Sequence, residues 1–197
     1  ADVVLAGGME RMTNLPTAEV TEGLAIAADD LFEVREGVTF PGAYALMANA
    51  YFDAYGGERE DLAAIAVKNH ENAVPNEKAQ YQREITTEDV IEAPMVAEPL
   101  GLYDSCPISD GASALVLTSE AYAEEHDLDA SVAVTGTGQG GDLMALHDRD
   151  YLARSPAADE AAAEAYADAG ISAADVEVAE VHDCFTIAEV LAMESLG

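Results

Sequence analysis

A chain of 197 residues has room for one ordinary domain or for parts of two. Half of it is apolar and 24% is charged, which supplies material for a core and argues against a disordered segment. Thirty-nine acidic against eight basic residues leave a formal charge of −31, a surface that repels phosphate backbones and anionic lipid and so disfavours nucleic-acid and membrane-surface binding.

The acid is spread along the chain, with no tail. That distribution suits a protein kept soluble in strong salt, where repulsion is screened within a few ångströms. The apolar runs are only a few residues long, so no transmembrane helix is expected. No basic segment followed by an apolar one opens the chain, so no signal peptide is expected either. Cys106 and Cys184 lie far apart and outside any C-x-x-C pair, which points to a reducing cytoplasm. The first residue is Ala1, which leads straight into an apolar run, so a piece of a longer protein is expected.

Residues 3–6 read as a buried strand closed by a turn at Gly7-Gly8. Residues 12–40 show no clear period. After Pro41, Tyr44, Met47, Tyr51 and Tyr55 recur at helical spacing until Gly56-Gly57 stops them. A second helix is predicted from about residue 60, with Leu62, Ile65, Ala66 and Asn69 on one face. Residues 70–100 read as loop-rich, and 112–118 as another buried strand. Ser119 caps a short helix to about 125. A strand at 132–134 runs into the glycine segment 136–141, and an alanine-rich helix over 157–169 ends at Gly170. A strand at 176–181 leads into His182-Asp183-Cys184-Phe185, then a helix over 186–196 carrying Ile187, Val190, Leu191 and Glu194. Apolar strands alternating with helices predict an α/β protein with a mostly parallel sheet.

Gly136, Gly138 and Gly141 formally match G-x-G-x-x-G after a strand. A dinucleotide site needs a helix starting at once, and Asp142 puts acid at that point, so a flexible or close-packed loop is the better reading. Consecutive residues of a strand point to alternate faces, so His182, Asp183 and Cys184 cannot converge on one ion, and no metal site is expected. His182 lies where open α/β sheets place ligands, at the C-terminal end of a strand. A purely structural histidine fits that position as well.

Four segments then carry a family resemblance. Ala6-Gly7-Gly8-Met9-Glu10-Arg11-Met12 resembles the A-G-G-x-E-x-M segment of thiolases. Residues 67–76, opening Val67-Lys68-Asn69-His70, resemble the K-N-H-x-N-A segment of archaeal and sterol-carrier-protein-type thiolases. Cys106-Pro107-Ile108-Ser109-Asp110-Gly111-Ala112 is similar to C-P-x-S-D-G-A, and Val181-His182-Asp183-Cys184-Phe185 to V-H-D-C-F. They occur in family order across nearly the whole chain.

The resemblance implies a coenzyme A-dependent acyltransferase that makes or breaks a carbon–carbon bond between acyl units, using acyl-CoA and CoA as substrates. It implies the α/β thiolase-like layered fold, incomplete here. Residues 1–118 would end the first half, including an inserted CoA-embracing loop domain at about 14–100, and 119–197 would begin the second. His182 would hold the thioester oxygen while an enolate forms. Cys106 and Ser109 would lie on the coenzyme-side loop. The acylated cysteine of the family would precede Ala1, and the G-H-P histidine and C-x-G cysteine would follow Gly197, so the resemblance implies an internal fragment, haloarchaeal by its charge. It also implies a homodimer or homotetramer, and a small zinc-ribbon and OB-fold partner protein. The alternative is a non-catalytic thiolase-like protein that binds acyl-CoA or scaffolds a partner.

Overall fold

The computed structural model describes residues 1–197. Strand β1 (Val3–Arg11) pairs with β4 (Asp110–Thr118) in an antiparallel ribbon, with Val3 opposite Thr118 and Arg11 opposite Asp110. Between them lie α1 (Thr17–Leu24), α2 (Phe40–Tyr55), α3 (Arg59–Ala73), α4 (Thr87–Glu92) and the small antiparallel pair β2 (Met95–Ala97) and β3 (Leu100–Gly101). Beyond the ribbon come α5 (Glu120–Glu125), α6 (Pro156–Ala169) and α7 (Thr186–Leu196).

The helices start and stop where local chemistry dictates. Thr39 Oγ1 accepts from the Gly42 N–H at 3.4 Å at the start of α2, and Gly56, at φ +81°, ends it. Asp61 reaches back to the Glu58 N–H at 2.9 Å to close the first turn of α3. Ser119 accepts from the Tyr122 N–H at 3.3 Å to cap α5, and the left-handed Gly170 ends α6.

The strands depart from expectation. No turn occurs at Gly7-Gly8; Gly7 pairs with Ala114 and the ladder runs through it. Glycine fits closely there: a Cβ would lie 3.0 Å from the Ser113 carbonyl oxygen. Both sheets are antiparallel rather than parallel. Residues 132–134 and 176–181 join no ladder. An apolar, β-branched run declares an extended backbone, but only a neighbour with free N–H and C=O groups makes it a strand. The 12–40 region also holds more order than its lack of period implied: α1, and a wide helical turn at Asp30–Val34 capped by the Asp29 carboxylate. Helix α4 and the β2–β3 pair likewise order part of 70–100.

The core sits around α7. Phe185, Ile187 and Leu191 pack with Ala48 of α2, Leu62 of α3 and Leu100 of β3. A smaller cluster joins Ala63 and Ala66 of α3 to Ile85 and Val90. The ribbon, read as buried, is exposed on both faces, with Leu5 at 74% and Met9 at 81%. The accessible surface is 13,337 Å², against about 8,900 Å² for a closed globular protein of 20.6 kDa. No helix is long and apolar enough to cross a membrane.

Candidate active site

The segment before α7 gathers three stretches of sequence that lie far apart in the chain. A bridge pairs Ser105 with Phe185, and the Cys106 N–H donates to the Cys184 carbonyl at 3.0 Å. One residue on, Thr186 Oγ1 donates to the buried Asp104 at 3.0 Å, and Asp104 also accepts from the Gly101 N–H at 2.8 Å. Burial pushes the Asp104 carboxyl up, against the pull of these two donors and of nearby Arg59.

On the other side of the segment stands α3. Asn69 Nδ2 donates to Asp183 at 2.7 Å and to Glu189 at 2.8 Å, while Lys68 Nζ closes on the second oxygen of Glu189. Burial, then the adjoining Glu189, push the Asp183 carboxyl up. Burial alone would raise Glu189 too, but donation from Lys68 and Asn69 carries it below its ordinary value.

His182 is exposed, and its imidazole makes no hydrogen bond. The residues that follow it are tied down while its own ring nitrogens are available to a ligand. Cys106 and Cys184 lie directly opposite each other across the bridge. Both thiols are pushed up, first by burial. Tyr44 packs on Phe185 with ring centroids 4.7 Å apart, and burial, followed by the Cys184 thiol, pushes its hydroxyl well up. The structure thus brings Cys106 to the segment that carries His182. It does not do so for Ser109, whose hydroxyl donates locally to the Pro107 carbonyl at 3.2 Å.

The glycine segment is close-packed. Residues 136, 138 and 140 face α6, where a Cβ on any of them would collide with the carbonyls of Ala165, Ala161 and Ala157 in turn. The Thr137 and Gln139 N–H groups donate to Asp168 and Glu164 of the same helix at 3.0 and 2.9 Å. With α6 on one face and its intervening N–H groups already engaged, the segment is used for packing.

Residues 1–121 match the family described as thiolase, N-terminal domain, and residues 138–197 match the thiolase C-terminal domain-like family. The chain belongs to the thiolase family. It is 43% identical to the acetyl-CoA acetyltransferase of Methanothermobacter thermautotrophicus over its full length, covering 50% of that protein. It is 36% identical to the benzoylsuccinyl-CoA thiolase subunit BbsB of Thauera aromatica, again covering 50%. Among solved structures, the Ltp2-ChsH2(DUF35) aldolase superposes with a TM-score of 0.86 at 29% identity, over 100% of this chain and 52% of that one. The chain thus spans about half the length of the curated relatives it matches, and its fold is an α/β thiolase-like layered architecture in part.

Several residues of this candidate site were not legible as functional. Asn69 was visible as one position on a helix face and as part of the K-N-H resemblance, without a role in either. Glu189 left a trace: an acid between Ile187 and Leu191 in an otherwise apolar stretch, buried at 4% exposure. Asp104, two residues before Cys106, left none.

Proposed function

We propose that the complete polypeptide is a coenzyme A-dependent acyltransferase that condenses or thiolytically cleaves acyl-CoA units. The observation that carries this reading is the unengaged His182 imidazole on a segment held by two other family motifs, through Asn69 of the K-N-H segment and Cys106 of the C-P-x-S-D-G-A segment. An N–H of that ring donates to the thioester oxygen as negative charge develops in the enolate, an interaction worth about 3–4 kcal/mol in oxyanion sites. Neither cysteine here is the acylated nucleophile. Neither stands in the C-x-G motif or beside a G-H-P histidine, and both thiols are pushed up, away from the reactive thiolate form. The nucleophile, its activating histidine and the second cysteine belong to other parts of the polypeptide.

Residues 1–118 act as the end of one thiolase half, with 14–100 as the inserted coenzyme-binding region and Cys106 and Ser109 on its coenzyme side; 119–197 begin the other half. Membership of the family favours a homodimer or homotetramer. The charge favours a salt-rich cytoplasm and a haloarchaeal source. A small zinc-ribbon and OB-fold protein is the partner that the family resemblance implies.

That relative also favours a second reading, in which the same site cleaves a carbon–carbon bond by retro-aldol chemistry. The test is to incubate the complete protein with acetoacetyl-CoA, with and without CoA. CoA-dependent formation of acetyl-CoA, with a transient acyl adduct in the mass spectrum, supports the thiolase reading. Cleavage of a 3-hydroxyacyl-CoA without CoA, and none of acetoacetyl-CoA, supports the aldolase.

A further inference from the structure

The His182 ring has no side-chain partner, so its aim is set by the backbone on either side of it. On the C-terminal side that backbone is held at two points. The Cys184 carbonyl is fixed by the Cys106 N–H, and the Asp183 carboxylate by Asn69. Asn69 then spends its other N–H on Glu189, one turn into α7. A primary amide has two N–H groups, and here each meets a carboxylate, one before the helix and one within its first turn. Residues 183 and 189 are thereby locked to one point on α3.

The choice of a neutral amide matters. Asp183 and Glu189 adjoin each other in a partly desolvated place and repel unless donors stand between them. Asn69 supplies two such donors without adding charge, and Lys68 supplies the one cation. Alanine at position 69 would leave the two carboxylates to push apart, and Asp183 adjoins His182 in the chain. Aspartate, with the same shape, would place a third carboxylate among them.

We propose that Asn69 is a positioning residue that, through Asp183 and Glu189, sets the orientation of His182 for catalysis. This rests on the reading of His182 as the oxyanion donor. The experiment compares Asn69→Ala, Asn69→Asp and the double variant Asn69→Asp/Glu189→Gln in the complete protein, using acetoacetyl-CoA and CoA for kinetics and amide hydrogen exchange across residues 181–186 for the clamp.

Asn69→Ala is expected to lower kcat with little change in KM, approaching the ~10²-fold that a misplacement of about 1 Å costs, and to speed exchange at 181–186. Asn69→Asp is expected to be worse despite its matching shape. The double variant, which restores the charge count and lets residue 189 donate to residue 69, is expected to recover much of the loss. An Asn69→Asp enzyme with wild-type kcat would overturn the proposal. So would variants whose melting temperature and KM change while kcat and exchange do not, because Asn69 would then only fill space. Should wild-type protein fail to turn over acetoacetyl-CoA, the functional reading falls by itself. Exchange at 181–186 then decides the clamp, accelerated exchange in Asn69→Ala upholding it and unchanged exchange overturning it.

Discussion

Replacing Gly138 by alanine tests the packing of the second half directly. Two residues of an extended chain advance about 6.6 Å and four residues of a helix about 6.0 Å. Glycines two apart can therefore keep step with alanines four apart, as Gly136, Gly138 and Gly140 do with Ala165, Ala161 and Ala157. A Cβ on Gly138 would stand 2.8 Å from Ala165 N and 2.9 Å from the Ala161 carbonyl carbon, and closer still to that carbonyl's oxygen. All three are backbone atoms of α6 and cannot swing aside, so the segment must lift off the helix. The shift also strains the bonds from the Thr137 and Gln139 N–H groups to Asp168 and Glu164. Overpacking of this kind costs about 1–3 kcal/mol, and the rigid neighbours put Gly138→Ala at the upper end. For a complete protein about twice the length of this chain that is a fall of about 3–6 °C in Tm. Gly141→Ala is the control, because nothing lies within 4 Å of its added methyl, and a change within about 0.5 kcal/mol is expected. Differential scanning fluorimetry of both variants in the complete protein gives the comparison. Equal melting of Gly138→Ala and wild type, or equal losses at 138 and 141, would refute the close-packing argument.

Three further outcomes are expected. His182→Ala should lower turnover by about two to three orders of magnitude, and His182→Asn by less because an amide can still donate; near-normal kcat in both would make His182 structural. Asp110 accepts from the Met12 and Thr13 N–H groups and from the Thr13 hydroxyl at 2.7–3.0 Å, and the Thr13 bonds, backbone first, hold its carboxyl below the ordinary 3.8. A carboxylate with a lowered folded pKa stabilises above its unfolded value and loses that as pH falls, so Asp110→Asn should melt below wild type at pH 7 and converge with it toward pH 3. The −31 charge should make the complete protein melt higher in molar KCl than at 0.1 M, as thermal scans across KCl concentration will show.

Most of the helices were legible because their signals are local, α1 and α4 being too short to show a period. Ser119, Gly56 and Gly170 act within a few residues of where they stand, and α5 begins and α2 and α6 end accordingly. Strand pairing is not local. Residues 3–6, 112–118, 132–134 and 176–181 read alike as apolar runs, yet only the first two find each other, and neither burial nor direction follows from the runs themselves. The site divides the same way. His182 and Cys106 stood out through their motifs. The bond from Asn69 to Asp183 spans 114 positions and that from Thr186 to Asp104 spans 82, and no spacing rule reaches so far.

Charge and proposed substrate pull against each other, and salt decides between them. Coenzyme A carries phosphates, which a surface at −31 repels at long range. The eight cations are not evenly placed: Lys68, Lys78 and Arg83 fall within the K-N-H stretch and the loop after it. Lys68 is engaged by Glu189, and Arg83 lies 5.4 Å over the Tyr103 ring. A basic phosphate-binding protein loses affinity as salt rises, because its attraction is screened. Here the long-range term is repulsive, and at about 1 M salt the Debye length shrinks to about 3 Å, leaving mainly short-range contacts. KM for CoA should therefore fall, not rise, between 0.1 M and molar KCl. The measurement separates this from salt-dependent folding if it is made at a temperature where far-UV circular dichroism shows the protein equally folded at both ends. A KM that climbs with KCl under those conditions would mean that the local cations outweigh the whole-protein field.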